Sequence, residues 1–334
     1  MTKIWMMLFA TAMLLAWGAI QMVIFLLAPA PLPSAAYTRR IEIKPNTSFS
    51  DIAAQLERTA LITNRFYFQM LGLWTQTDKK IQAGEFMLPA GLRPLEVLDT
   101  LVQGKSIASH TVTFPEGVTF RQIMEILRRL EQEGLIHTTP HFGMDDPHLI
   151  EQTGGYPLEG YLFPETYTFT KDASAQEILL QALAQFNAVY TDAFEKQAQA
   201  LGMSRHAIVT LASIIEKESS RRSEQGLISA VFHNRLKSGM RLQSDPTVIF
   251  GMPEFNGNLT QHDLQTPTPY NTYLIDGLPP GPIANPGRAA IEAALFPAPV
   301  DYLFFVSKND GTHAFSRTLS EHNAAVTKFQ KRSG

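Results

Sequence analysis

The chain has 334 residues, 18% of them charged, a formal net charge of −3 and no cysteine. That length suits one large domain or two to three smaller ones, with ample material for a packed core. The charge balance offers no basic surface, which argues against nucleic acid as a partner. The lack of cysteine excludes disulfides, thiolate metal sites, a cysteine nucleophile and a lipid-modified amino-terminal cysteine.

Residues 4–28 carry no charge, and only Thr11 and Gln21 interrupt them as clearly polar side chains. Roughly 25 residues at about 1.5 Å each cover a hydrocarbon core of about 30 Å. A cleaved signal peptide has a shorter apolar region, of about 7–15 residues, and Pro31 obstructs cutting after the small residues Ala28 and Ala30. The expectation is an uncleaved transmembrane helix over 4–28, then a proline-rich linker, 29–39. The flanking charges, Lys3 against Arg39, Arg40 and Lys44, do not fix orientation.

Residues 40–44 (RIEIK) alternate as a strand. Ser48 opens a helix carrying Ile52, Ala53 and Leu56. A second helical stretch spans 66–73 and a returning strand 84–88. This strand–helix–helix–strand order over 40–105, headed by IEIKPNTSFSDIAAQL and closed by IQAGEFMLPAG, resembles a LysM-type glycan-binding module. It departs from that module by running on into another helix over 93–103, and a small α+β domain without a ligand is the alternative.

Residues 106–158 read as a connecting α/β segment. It holds a strand at 110–114 and a capping box, Thr119 to Gln122, before the apolar residues Ile123, Ile126 and Leu127. His137, His141 and His148 invite a metal reading, but Pro140 breaks the helix that would align the first two. They are read as surface histidines. No zinc-peptidase, P-loop or dinucleotide motif occurs.

Residues 159–167 (EGYLFPETY) are dense in aromatic rings and carboxylates, as a buried turn or one wall of a sugar site would be. Ser174 and Glu177 cap a long helix running towards Gly202. Ser204 then caps the helix that ends in EKES, on which Ile208, Leu211 and Ile215 form one apolar stripe. Glu216 and Glu218 project about 200° apart on such a helix. Glu218 continues the buried stripe, whereas Glu216 faces water beside Lys217. A poorly solvated carboxyl keeps its proton towards neutrality, which suits a general acid. Ordinary solvated charges at a helix end are the alternative.

A further helix spans about 223–237. The last third is rich in loops with closely spaced prolines and glycines, which fix the backbone and reduce the entropy cost of ordering. A strand-like run follows at 302–306.

Four ordered motifs carry a family resemblance: ASIIEKES (212–219), AVFHNRLKSGMRLQSDPTVIFG (230–251), TPTPYNTYLIDGLPPGPIANPG (266–287) and YLFFVSKNDGTHAFSRTLSEHN (302–323). With EGYLFPETY they resemble the YceG-like family of membrane-anchored endolytic murein transglycosylases, from about residue 40 to the end of the chain. The resemblance implies an α+β protein with a larger catalytic domain over 159–330, in the inner membrane with its bulk on the cell-wall side. There it cleaves the β-1,4 bond between N-acetylmuramic acid and N-acetylglucosamine in nascent glycan strands, without metal or cofactor. The family's catalytic glutamate falls on Glu218. Gln243, Asp245, Thr247, Tyr270 and Asn271 are the expected substrate contacts, the alternative for each being to hold its own loop together, as Asp245 before Pro246 does in a turn; peptidoglycan synthases are candidate partners. Arg221 and Arg222 stand where the family often carries a small-residue turn, and they face either substrate carboxylates or solvent. Two readings stay open: a muramidase using Glu218 and Asp245, and a catalytically silent glycan-binding scaffold.

Overall fold

The computed structural model describes residues 38–330 except 90, 105–108, 138–145, 171–172, 220 and 253, together with 18, 21–23, 25 and 26. In chain order its elements begin with β1 (Thr38–Ile43), α1 (Phe49–Arg58), α2 (Arg65–Trp74), β2 (Gly84–Pro89) and α3 (Pro94–Gln103). There follow β3 (Ser109–Thr113), α4 (Phe120–Gln132), the single turn α5 (Pro147–Ile150) and β4 (Thr166–Thr170). Next come α6 (Ala175–Val189), α7 (Asp192–Ala200), α8 (Arg205–Glu218), α9 (Arg222–Lys237), α10 (Asp245–Gly251), α11 (Gln261–Gln265) and α12 (Arg288–Leu295). The hairpin β5 (Phe304–Ser307) and β6 (His313–Ser316) precedes α13 (Leu319–Phe329). The fold is mixed α+β. By packing, 1–112 group with 133–138 and 167–181, and the remainder forms a second unit. The stretch 106–158, expected as one connecting segment, is divided between them.

In the first unit β1 and β2 pair antiparallel, with Ile41 opposite Phe86. The two-residue period of a strand turns Ile41, Ile43, Phe86 and Leu88 to one buried face. Onto it pack Ile52, Ala53 and Leu56 of α1, Phe68 and Leu71 of α2, and Val97, Leu98 and Leu101 of α3. The helix starts are chemically specified: Ser48 Oγ accepts the Asp51 N–H at 3.1 Å, and Asn64 Oδ1 accepts from Phe66 at 2.9 Å. A Cβ at Gly72 would collide with the tip of the Phe49 ring, so a larger residue there requires that ring to shift. Phe25 is buried in the same core, with Met22 and Leu26 packed beside it. Among the described residues no helix is long and apolar enough to cross a membrane. The span expected over 4–28 otherwise lies outside the described residues. Of the three histidines, His137 bridges Ser174 through its backbone, and His141 lies outside the described residues.

The second unit is built on α8. Every residue from 208 to 215 is buried, which corrects the expected one-sided stripe: this helix is enclosed all round. α12 packs along it, bringing the small Ala290 and Ala294 and the larger Ile291 and Leu295. Two polar residues inside it are satisfied. Thr210 donates to the His206 carbonyl at 2.7 Å, and Ser213 donates to Thr210 O at 2.7 Å while accepting the Ile283 N–H at 3.0 Å. The single long helix expected from Ser174 towards Gly202 is two, α6 and α7. Thr191 takes an extended conformation between them, and Thr-Asp is better suited to starting a helix than to continuing one.

Candidate active site

The last turn of α8 carries three charged residues, and each is held by a different part of the chain. Glu218 is partly buried, and its Oε1 accepts the Ser244 hydroxyl at 2.5 Å. Lys217 Nζ donates to Gly117 O at 3.2 Å. Glu216 Oε2 accepts the Gly287 N–H at 3.0 Å, so this side chain does not face open water as its helical position suggested. The carbonyls and amides of surrounding loops reach both faces of the helix end, which periodicity alone does not reveal.

Burial lifts the Glu218 carboxyl from 4.5 to about 7; the Ser244 hydroxyl and the Arg235 charge oppose the rise, and the Asp245 carboxylate adds to it. Burial likewise raises Glu216. Arg235 is a buried cation of α9. Its Nε donates to Leu303 O and its Nη1 to Leu242 O, each at 2.7 Å. It therefore pins the start of the loop that delivers Ser244.

That loop is set with little freedom. Gln243 has a left-handed backbone (φ 50°), and its N–H donates to Thr272 O at 3.1 Å. The Ser244 N–H donates to Thr272 Oγ1 at 3.0 Å, and Thr247 Oγ1 donates to Ser244 O at 2.7 Å. Thr247 is fully buried, as is Asn271, whose amide donates to the carbonyls of Leu264 and Thr266 at 3.1 and 2.8 Å. Both were expected substrate contacts. In the structure their polar groups are engaged by their own loops. Gln243 and Asp245 are exposed, Asp245 accepting the Tyr273 hydroxyl at 2.7 Å. Tyr270 is partly exposed against Phe250, with ring centroids 4.8 Å apart. Asp245 and Pro246 open α10, where turn chemistry had been expected; proline suits a first helical turn because no N–H is needed there. Arg221 donates to Asp310 O at 2.9 Å, and Arg222 pairs with Glu116 at 3.3 Å, so neither is an unoccupied cation.

Sequence reasoning missed Ser244 as the partner of Glu218, although it lies inside a quoted motif. It also left Glu159 without a role. This carboxylate is buried, receives the Phe120 N–H at 3.0 Å and lies 3.4 Å from Asn285 Nδ2. Burial raises it from 4.5 to about 7, against the Phe120 hydrogen bond and the Lys217 charge. The folded protein thus keeps this proton where the unfolded chain has lost it. The associated stabilisation is complete below 4.5 and disappears as pH rises through about 7. Wild-type stability is expected to fall across that window, with a share on the order of 2 kcal/mol from this residue. Urea denaturation at pH 5 and pH 8 should show a smaller difference in Glu159→Gln than in wild type.

A cavity of about 630 Å³ lies at the other end of α8, lined by Leu201, Met203, Ala207, His233, Leu236 and Leu278 among others. A 14-residue helix is about 21 Å long, so this cavity is separate from Glu218.

A poorly hydrated acid at a helix end, bonded to Ser244 on a loop tied to Thr272, is suited to acid–base chemistry. The chain belongs to the YceG-like family, whose model matches residues 41–328. It is 32% identical to the endolytic murein transglycosylase of Bacillus subtilis (strain 168), covering 87% of this chain and 85% of that one. It is 26% identical to the endolytic murein transglycosylase of Streptococcus pneumoniae (strain D39), covering 92% of this chain and 61% of the relative. A crystal structure of a YceG-like protein from Listeria monocytogenes superposes with a TM-score of 0.56 at 33% identity, over 86% of this chain and 98% of that one.

Proposed function

We propose that this protein is an endolytic peptidoglycan lytic transglycosylase, cleaving the bond between N-acetylmuramic acid and N-acetylglucosamine in nascent glycan strands and so ending their elongation. The observation that carries the reading is Glu218, a carboxyl whose burial keeps it protonated up to about pH 7. Protonated Glu218 donates to the glycosidic oxygen as the bond to C1 breaks. The carboxylate left behind removes the proton from the C6 hydroxyl of the same muramic acid, whose oxygen closes on C1. A 1,6-anhydro end forms, no water is consumed, and Glu218 regains its proton. One carboxyl suffices where a hydrolase needs two. Asp245, Gln243 and Tyr270 meet the sugar and the positive charge that develops on it, a role supported by the Asp245 charge felt at Glu218 and by the exposure of Gln243.

Residues 4–28 serve as a single-pass anchor in the inner membrane, with the catalytic part on the cell-wall side. Their uncharged length supports this reading. Residues 40–105 form a LysM-like subdomain that meets glycan, supported by the order β1–α1–α2–β2, and peptidoglycan synthases are its neighbours. A muramidase pairing Glu218 with Asp245 and a silent scaffold are the competing readings, and the naming of the relatives favours neither. Digestion of isolated peptidoglycan followed by product mass measurement tests the proposal. Muramic ends lighter by one water support it; reducing ends that take up labelled water assign hydrolysis.

The Ser244 hydroxyl favours ionised Glu218. Ser244→Ala is therefore expected to move the alkaline limb of the pH–rate profile upward. A hydrogen bond to a charged group contributes about 1.5–3 kcal/mol, so kcat should fall roughly tenfold or more. A profile that does not move would show that Ser244 leaves the acid unperturbed.

A further inference from the structure

α2 presents an apolar face that its own unit does not cover. Phe66, Met70, Leu73 and Trp74 follow one another at helical spacing and are 61%, 46%, 58% and 76% exposed. The opposite face, with Phe68 and Leu71, is buried in the core. A contiguous stripe of this kind on a soluble surface marks an interaction site.

We propose that this stripe lies in the lipid bilayer interface, so that the first unit rests on the membrane through α2 and does not swing free on its linker. The proposal rests on the reading of 4–28 as an anchor. Two observations select lipid as the occupant. The apolar amino-terminal stretch arrives at this helix: Phe25 sits 5.7 Å from the Tyr67 ring, Tyr67 5.7 Å from Phe66, and Met22 and Leu26 pack alongside. Val23 of that stretch is itself exposed. An anchor that packs on this unit through Met22, Phe25 and Leu26 brings α2 to headgroup level. The rim is also complementary to lipid phosphates. Lys79 and Lys80 are exposed just beyond the helix after Asp78, Arg65 at its start pairs with Glu57 at 3.8 Å, and the stripe itself holds no charge. Trp and Phe beside basic residues are the composition of helices lying in a membrane interface.

Trp74 reports the contact. The full chain carrying Trp5→Phe and Trp17→Phe, which leaves Trp74 as the only tryptophan, is reconstituted in 3:1 phosphatidylethanolamine–phosphatidylglycerol vesicles. Its emission is compared with and without acyl chains brominated at carbons 6 and 7. The expected result is at least a twofold loss of emission, halved or better by Met70→Glu, which places a charge in the stripe. The Trp74→Phe protein, whose remaining tryptophans fall in 4–28, reports anchoring separately. Quenching there with none at Trp74 overturns the proposal and leaves the anchor standing, and assigns the stripe to a protein partner or a second copy. No quenching in either protein overturns the anchor reading and the proposal together.

Discussion

Glu218→Gln is expected to lower the rate of glycan cleavage by at least about 10³-fold while leaving the protein folded. General acid–base catalysis by a placed side chain contributes about 10²–10⁴-fold to a step, and here one carboxyl serves both the protonation of the leaving oxygen and the deprotonation of the C6 hydroxyl. Glutamine is isosteric and its Oε1 still accepts the Ser244 hydroxyl, so the loop that Ser244 anchors keeps its partner. An amide also escapes the cost of burying a charge, and the variant should melt no lower than wild type above pH 7. In wild type the acid must be protonated at the start of each turnover. The rate should therefore be level on the acid side of the Glu218 titration and fall tenfold per pH unit above about 7. Product quantification across pH 5–9 and a thermal melt check both parts. Retained cleavage in a folded Glu218→Gln protein would remove this residue from the chemistry.

Asn285→Leu is expected to be the most damaging single change to the floor of the site, at about 3–5 kcal/mol of stability and with loss of cleavage. Asn285 is fully buried. Its Oδ1 accepts the Leu162 N–H at 2.9 Å, and its Nδ2 donates to Val118 O at 2.9 Å and towards Glu159 at 3.4 Å. Leucine fills the volume but strands these groups, and each buried polar group left unpaired costs about 1–3 kcal/mol. The damage spreads because the same backbone meets α8. Gly117 donates to Asn285 O at 2.9 Å and accepts from Lys217 at 3.2 Å, and Gly287, two residues on, donates to Glu216 at 3.0 Å. Urea unfolding and cleavage assays on Asn285→Leu test this. A variant within 1 kcal/mol of wild type, by the same principle, would show that the bonds are not strongly coupled.

Gly160 shows why the 159–167 segment is so constrained. It takes φ +87°, and a Cβ there would fall 2.5 Å from Pro282 and 3.0 Å from Val209. Glycine alone allows this turn to lie against α8 and the 282–287 loop, with Tyr161 buried and bonded through its hydroxyl to His206 Nδ1 at 2.9 Å. Leu162 and Phe163, which follow, are buried as well.

Where structure is local, it was legible. Ser48, Thr119 and Ser204 start the helices they were expected to start, and counting back three and seven residues placed Glu218 beyond Ile215 and Leu211. The break at Thr191 and the short helices of the last third were not legible. In α10 to α12, proline and glycine density obscured a periodicity only one or two turns long, and neighbouring loops decide whether such turns form.

What the sequence by itself determined is thus the helix that ends in Glu218 and the family to which its motifs belong. Tertiary structure alone decided what surrounds that acid. Ser244 meets Glu218 across 26 residues, Phe120 meets Glu159 across 39, and Leu162 meets Asn285 across 123. Helical and strand periods describe which way a side chain points from its own backbone. They carry no information on which distant loop arrives there, and burial and hydrogen bonding from those loops set the Glu218 proton affinity.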